Sequence, residues 1–281
     1  MENNLVRSNA ICVVGKSKLG SHISGFLEKV GHQVSFLDVN SDWPTSIQEQ
    51  LVIVIAPEDL EVKRSWVAKL EAVLSLEAIV AINIEAIRLT DLQETAVNPK
   101  RILGLNWVYP VENTYFLEII SNSVSDPNHP TFIENLAKER WNKDPYCLGC
   151  GFSVRARLMA AITREALFLV DEGYATLESI DRSCRNDAGY YLSFAGNFRY
   201  MDLMGTAVYG IVMETLNREL AAQSTLGSFE RLLNESNPGM ESGNGFFSYE
   251  SGDAERWEEI VQDFTDKISN LMQRYPITFN Y

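Results

Sequence analysis

Apolar residues fall along the first half of this chain in short dense runs, and along the second half in long helical stripes. The run AICVVG at 10–15 is apolar on both faces and stops at a glycine, which predicts a buried parallel strand. The same reading places strands at 34–39 (VSFLDV), 51–57 (LVIVIAP), 78–84 (AIVAINI), 101–110 (RILGLNWVYP) and 116–120 (FLEII). Amphipathic stretches lie between them, including SHISGFLEKVGH, stopped by Gly31, and LEVKRSWVAKLEAVLS. Strands alternating with helices at this spacing predict an α/β fold with a doubly wound parallel sheet of the Rossmann kind.

Beyond residue 125 the pattern changes. SDPNHP punctuates the chain, then a short helix (TFIENLAKERW) and a strand-like DPYCL follow. From 152 onward helical periodicity dominates, in VRARLMAAITREALFLVDEGYA, LESIDRSCRNDAG, FRYMDLMGTAVYGIVMETLNREL and AERWEEIVQDFTDKISNLMQRY. Two domains are therefore expected, a nucleotide-binding domain over 1–148 and a mainly α-helical domain over 149–281.

The 281 residues carry a net charge of −14, which argues against nucleic acid or an anionic membrane as partner. The polar start MENNLVRSNA lacks the core of a signal peptide, and no apolar run reaches membrane-spanning length, so a cytoplasmic location is expected. Cys147 and Cys150 form a C-x-x-C pair, but no second ligand pair follows and His129 is isolated; the four cysteines read as packing thiols and no metal site is expected.

The loop after the first strand reads VVGKSKLG and opens a helix, the context of a dinucleotide fingerprint. Gly15 and Gly20 hold the first and third glycine positions, Ser17 replaces the second, and Leu19 completes the turn. Asp38 lies 23 residues past Gly15, where a carboxylate accepts hydrogen bonds from an adenosine ribose and favours NAD over its 2′-phosphate form.

These segments, with PEDLEVKRSWVAKLE, INIEAIRLTDL, GLNWVYPVENTYFLEII, RARLMAAITREALFLVDEGYATLESID and SGNGFFSY, give the chain a resemblance to the 3-hydroxyacyl-CoA dehydrogenases and their lambda-crystallin-like relatives over nearly its whole length. The resemblance implies an NAD-dependent oxidoreductase acting on a small hydroxy-acid or hydroxyacyl substrate, dimeric through its helical domain. It also implies that Gly15, Gly20, Asp38, Glu58 and Lys63 line the NAD site, and that Tyr109 replaces an asparagine contacting the cofactor. On the catalytic side, Asn106 stands where the family has its histidine, its partner is kept as Glu118, a substrate-contacting serine is Glu85, and Ala156 replaces an asparagine beside the retained Arg157. The family's helical excursion between its second and third strands shrinks to NSDWPTSIQEQ, which argues against a CoA thioester.

Asparagine keeps polarity but takes up no proton near neutral pH, so the family's acid–base dyad is lost. Asn106 retains the capacity to polarise a substrate carbonyl, and Glu118 reads equally as catalytic or as a strand-end carboxylate. Glu85 is the better substitute base, although a polar residue at a helix start is the preferred reading. Arg155 and Arg157 suit a substrate carboxylate or phosphate, or a surface ion pair. Two functions follow: an oxidoreductase with a degenerate site, or a catalytically silent nucleotide-binding homodimer.

Overall fold

The computed structural model describes residues 9–275 except 42, 218, 221, 223–239 and 244. Residues 1–8 of the polar start and Asn244 of the SGNGFFSY motif lie outside the described residues. The chain divides into two units, Met1–Arg157 and Leu158–Tyr281.

The first unit is built on a seven-stranded sheet. Strands β1 (Ala10–Val14), β2 (Gln33–Leu37), β3 (Leu51–Val54), β4 (Ile79–Ile82) and β5 (Ile102–Asn106) run parallel, and the order across the sheet is β2-β1-β3-β4-β5-β6-β7. β1, β3 and β4 are buried on both faces apart from the first residue of β1, which explains their unbroken apolar runs. One face packs Ile11, Val13, Ile53 and Leu103 with Ile23 and Leu27 of α1 (Lys18–Lys29) and Ile133 of α4 (Asn128–Arg140). The other packs Cys12, Val52, Val80 and Ile102 with Val67 and Leu70 of α2 (Leu60–Val73) and Leu89 and Leu92 of α3 (Leu89–Gln93).

β6 (Phe116–Ile120) departs from an all-parallel sheet: it pairs antiparallel to β5, and β7 (Asp144–Leu148) then pairs parallel to β6. The segment 107–115 is too short for the crossover a parallel partner requires, so the chain folds straight back. The buried Lys143 side chain secures this segment by donating to the Val111 and Thr114 carbonyls, its ammonium 4.9 Å from the Phe26 ring centroid and 5.7 Å from that of Trp107. The antiparallel register sets Asn106 directly opposite Glu118.

α5 (Val154–Asp171) begins in the first unit and continues into the second. In the second unit α6 (Leu177–Ser183) passes through one π turn (Cys184–Ala188) into α7 (Gly189–Met204). The pattern FRYMDLMGTAVYGIVMETL predicts one helix, but Gly205 takes φ +105° and splits it into α7 and α8 (Thr206–Leu216). The last described helix is α9 (Asp253–Arg274).

Candidate functional site

The strand order changes direction between β1 and β3, and a doubly wound sheet offers its ligand crevice outside the carboxyl ends of the strands at such a point. The residues expected to line the cofactor lie around those ends. Gly15 has φ +115°, and a Cβ there would meet the Ile55 carbonyl oxygen at 2.2 Å; one on Gly20 would meet the Gly15 oxygen at 2.3 Å. Both glycines are demanded by backbone contact, which keeps the turn low and the start of α1 open to a pyrophosphate.

Ser17 has φ −118°, a conformation open to any residue, and its hydroxyl caps α1 by accepting the Gly20 N–H at 3.0 Å. The serine is therefore compatible with the loop: its oxygen is turned into its own helix. Leu19 packs against the core below. Across the loop, the Tyr109 ring makes an edge contact with His22 at 4.9 Å and lies 5.7 Å from the Lys18 ammonium. Asp38 follows β2; its Oδ1 accepts the Asn40 N–H, and its Oδ2 faces the exposed Lys16 ammonium at 3.9 Å. A glycine cradle at a helix start and a partly exposed carboxylate past β2 fit NAD.

Glu58 and Lys63 form a clamp at the end of β3. Glu58 Oε1 accepts the N–H groups of Glu85, Ala86 and Ile87 at 2.8–3.0 Å, and its Oε2 pairs with Lys63 Nζ at 3.1 Å. Burial raises the Glu58 pKa, but these donors and the lysine outweigh it and hold the carboxyl below its usual range. Lys63 is fully buried and also donates to the Asn83 and Ala56 carbonyls at 2.6 and 3.3 Å; burial pulls its pKa down against the pull of Glu58.

Asn83 and Asn106 act in the same way. The Asn83 amide accepts the Ala56 N–H at 2.8 Å and donates to the Ala56 carbonyl at 3.0 Å. Asn106 accepts the Ile84 N–H at 2.9 Å and donates to the Ile84 carbonyl at 2.6 Å and to Glu118 Oε2 at 2.8 Å. Each asparagine pins the peptide that ends the neighbouring strand. Asn106 is 1% exposed, and both its polar atoms are engaged inside the protein.

Glu118 is fully buried and equally engaged. Its Oε2 also accepts the Ser153 hydroxyl at 2.7 Å, while Oε1 accepts the Tyr146 hydroxyl and the N–H groups of Val154 and Arg155 at 3.0–3.1 Å. The carboxylate thus joins β5, β6 and β7 to the first turn of α5, where negative charge is favoured. Burial and the Glu118 charge push the Tyr146 phenol well above its usual range.

Glu85 differs. Both its oxygens accept from Arg155 Nη1, at 3.0 and 3.2 Å, and each side chain of the pair is 36% exposed. Burial raises the Glu85 pKa, with Arg155 opposing and Glu118 and Glu58 reinforcing it. Arg157 lies apart, 5.1 Å from the Phe152 ring centroid. Sequence reasoning missed Asn83, Tyr146 and Ser153. Of these, only Ser153 left a signal, a helix-capping residue just before an amphipathic run.

A glycine-cradled loop and a carboxylate past the second strand define a Rossmann-type, NAD-binding oxidoreductase class. The chain belongs to the 3-hydroxyacyl-CoA dehydrogenase family: residues 37–148 match its NAD binding domain and 151–249 its C-terminal domain. It is 27% identical over 206 residues to the 5-formyl-3-hydroxy-2-methylpyridine 4-carboxylate 5-dehydrogenase of Mesorhizobium japonicum, covering 71% of this chain and 65% of that one. It is 28% identical over 230 residues to the fatty acid oxidation complex subunit alpha of Vibrio campbellii, covering 79% of this chain but 31% of the relative. Less than two thirds of either relative is therefore spanned. In fold it is similar to a 5-formyl-3-hydroxy-2-methylpyridine 4-carboxylic acid 5-dehydrogenase described as an NAD+ dependent dismutase, with TM-score 0.82, 21% identity and 95% and 98% of the two chains covered. A 3-hydroxyacyl-CoA dehydrogenase of Archaeoglobus fulgidus gives TM-score 0.67 at 20% identity, covering 94% and 98%. Among the described residues no helix is long and apolar enough to cross a membrane.

Proposed function

We propose that this chain is an NAD-dependent dehydrogenase interconverting a hydroxyl and a carbonyl on a small hydroxy-acid or hydroxyacyl substrate, with Glu85 exchanging the proton that the family assigns to histidine. One observation carries the reading. Of the three glutamates Glu58, Glu85 and Glu118, Glu58 and Glu118 are engaged by backbone N–H groups and buried donors, whereas Glu85 is half-exposed and held by Arg155 alone among the described residues.

NAD, when bound against Gly15, Gly20 and Asp38, supplies the hydride acceptor. The chain's own groups do the rest: Arg155 holds Glu85 at the site before substrate enters, and burial beside Glu118 and Glu58 raises the Glu85 pKa, which suits its carboxylate to proton exchange nearer neutrality. Asn106 takes no part in proton transfer and holds the floor of the site. With thirteen residues between β2 and β3 and no helix among those described, a compact substrate is favoured over a CoA thioester.

The second reading, a silent NAD-binding homodimer, is favoured by the closed hydrogen-bonding of Asn106 and Glu118. Fluorescence titration with NADH and steady-state assays of wild type, Glu85→Gln and Asn106→His separate the two. A dehydrogenase using Glu85 turns over as wild type and loses about 10²–10⁴-fold in kcat as Glu85→Gln. Wild type that binds NADH, is inert, and gains activity only as Asn106→His supports the silent reading. No NADH binding at millimolar concentration defeats both.

A further inference from the structure

Arg155 presents a half-exposed guanidinium that already holds one anion, the Glu85 carboxylate. Its backbone N–H is fixed by Glu118, and its guanidinium carbon lies 5.7 Å from the Phe116 ring centroid. It is half-exposed, and its salt-bridge partner is a single half-exposed carboxylate. Glu85 is an unfavourable occupant. It is faced by Arg155 from α5, Glu118 from β6, Glu58 from the end of β3, Lys63 from α2 and Tyr146 from β7, and burial with the two carboxylates disfavours its charge.

We propose that Arg155 recognises the carboxylate of a short oxo-acid or hydroxy-acid substrate, which replaces Glu85 on the guanidinium. This rests on the dehydrogenase reading and narrows its substrate class. Once displaced, Glu85 loses the cation that kept it ionised and takes up a proton from solvent, so one negative charge enters the site as one is neutralised. That proton then serves the chemistry. In the reductive direction the carbonyl carbon gains the hydride supplied by reduced cofactor, its π electron pair moves to oxygen, and the oxygen takes the proton from Glu85; oxidation reverses each transfer. A carboxylate seated on Arg155 lies beside the Glu85 that it displaces, so it and the reacting oxygen sit close together, as in a 2- or 3-oxo acid.

The test is calorimetric titration of the full chain with acetoacetate at pH 7, in two buffers of different ionisation enthalpy. Wild type is expected to bind acetoacetate with net proton uptake. Glu85→Gln is expected to bind about tenfold tighter with no uptake, because no charged occupant has to be displaced and protonated. Arg155→Met should weaken binding by about 100-fold, and Arg155→Lys by less, since only arginine offers the planar fork. Methyl acetoacetate, which lacks the charge, should respond to neither position. Thermal melts of each variant establish that it is folded. Acetoacetate binding of equal strength in wild type and folded Arg155→Met, binding without proton uptake in wild type, or no binding to wild type or Glu85→Gln would each overturn the proposal. The two readings fail separately: NADH binding and turnover without acetoacetate recognition leave the dehydrogenase standing, and proton-linked acetoacetate binding without NADH binding does the reverse.

Discussion

At the scale of single residues, Asn106 illustrates how one amide can be spoken for. It bonds both backbone groups of Ile84 and one oxygen of Glu118, with almost no exposure to water. Asn106→Leu keeps the branched shape and strands three buried partners, so a loss of about 3–5 kcal/mol in urea denaturation is expected. A loss under about 1 kcal/mol would mean that these contacts are dispensable. Lys143 gives a second prediction. Burial brings its pKa from 10.5 to about 8, so between those values the unfolded chain binds more protons than the folded one. Raising the pH through that window therefore stabilises the fold, by on the order of 3 kcal/mol in total. Relative to Lys143→Met, wild-type stability should climb from pH 7.5 to 10; a flat difference would show that the ammonium is not desolvated. Individual roles of this kind were the least legible in the sequence. Asn106 and Glu118 were visible as a pair, but whether the amide faced substrate or backbone depended on Ile84, whose position no local pattern encodes.

At the scale of elements, the glycine loop and α1 show a fingerprint surviving the loss of one of its glycines. The two positions that keep glycine are those where a Cβ would strike backbone, and the altered one has an ordinary φ. Ser17→Ala should cost about 1 kcal/mol through the lost cap, whereas Ser17→Gly should cost only a few tenths. Because the hydroxyl bonds its own helix, NADH affinity should change less than about twofold in Ser17→Gly, measured by fluorescence titration. A drop of tenfold or more would place the serine on the cofactor. The strands were legible because buried parallel strands are apolar on both faces. The direction of β6 was not, since FLEII has the same composition whichever way it runs; what decides it is the length of the preceding segment. The split at Gly205 was hidden too, because an interior glycine is tolerated in many helices and only the backbone reveals a positive φ.

At the scale of the whole molecule, the two units differ in how they bury apolar surface. The sheet of the first has an extensive core on both faces. In the second, Leu167 and Ala195 are the only apolar side chains buried among the described residues, while Val208, Ile211, Val212, Met213 and Leu216 of α8 all stand exposed in a single chain. Exposed patches of that extent mark interaction surfaces. We propose that a second copy of the chain covers them. Light scattering should give twice the 31.7 kDa of one chain, and Ile211→Asp should weaken the dimer about 30-fold or more. A wild-type monomer at micromolar concentration would rule this out. The helical stripes that announce this unit in the sequence say that apolar faces exist, not what covers them.

The straight return from β5 to β6 has a consequence for how this family varies. Side chains alternate along a strand, so a slip of β6 by one residue against β5 would turn Glu118 to the other face of the sheet. Glu118 would leave Asn106, and α5 would lose the anion at its first turn. The β5–β6 register thus works as a ruler that does not depend on which residue sits at position 106. An exchange of a proton carrier for an amide there leaves the join to α5 in place while that register is held.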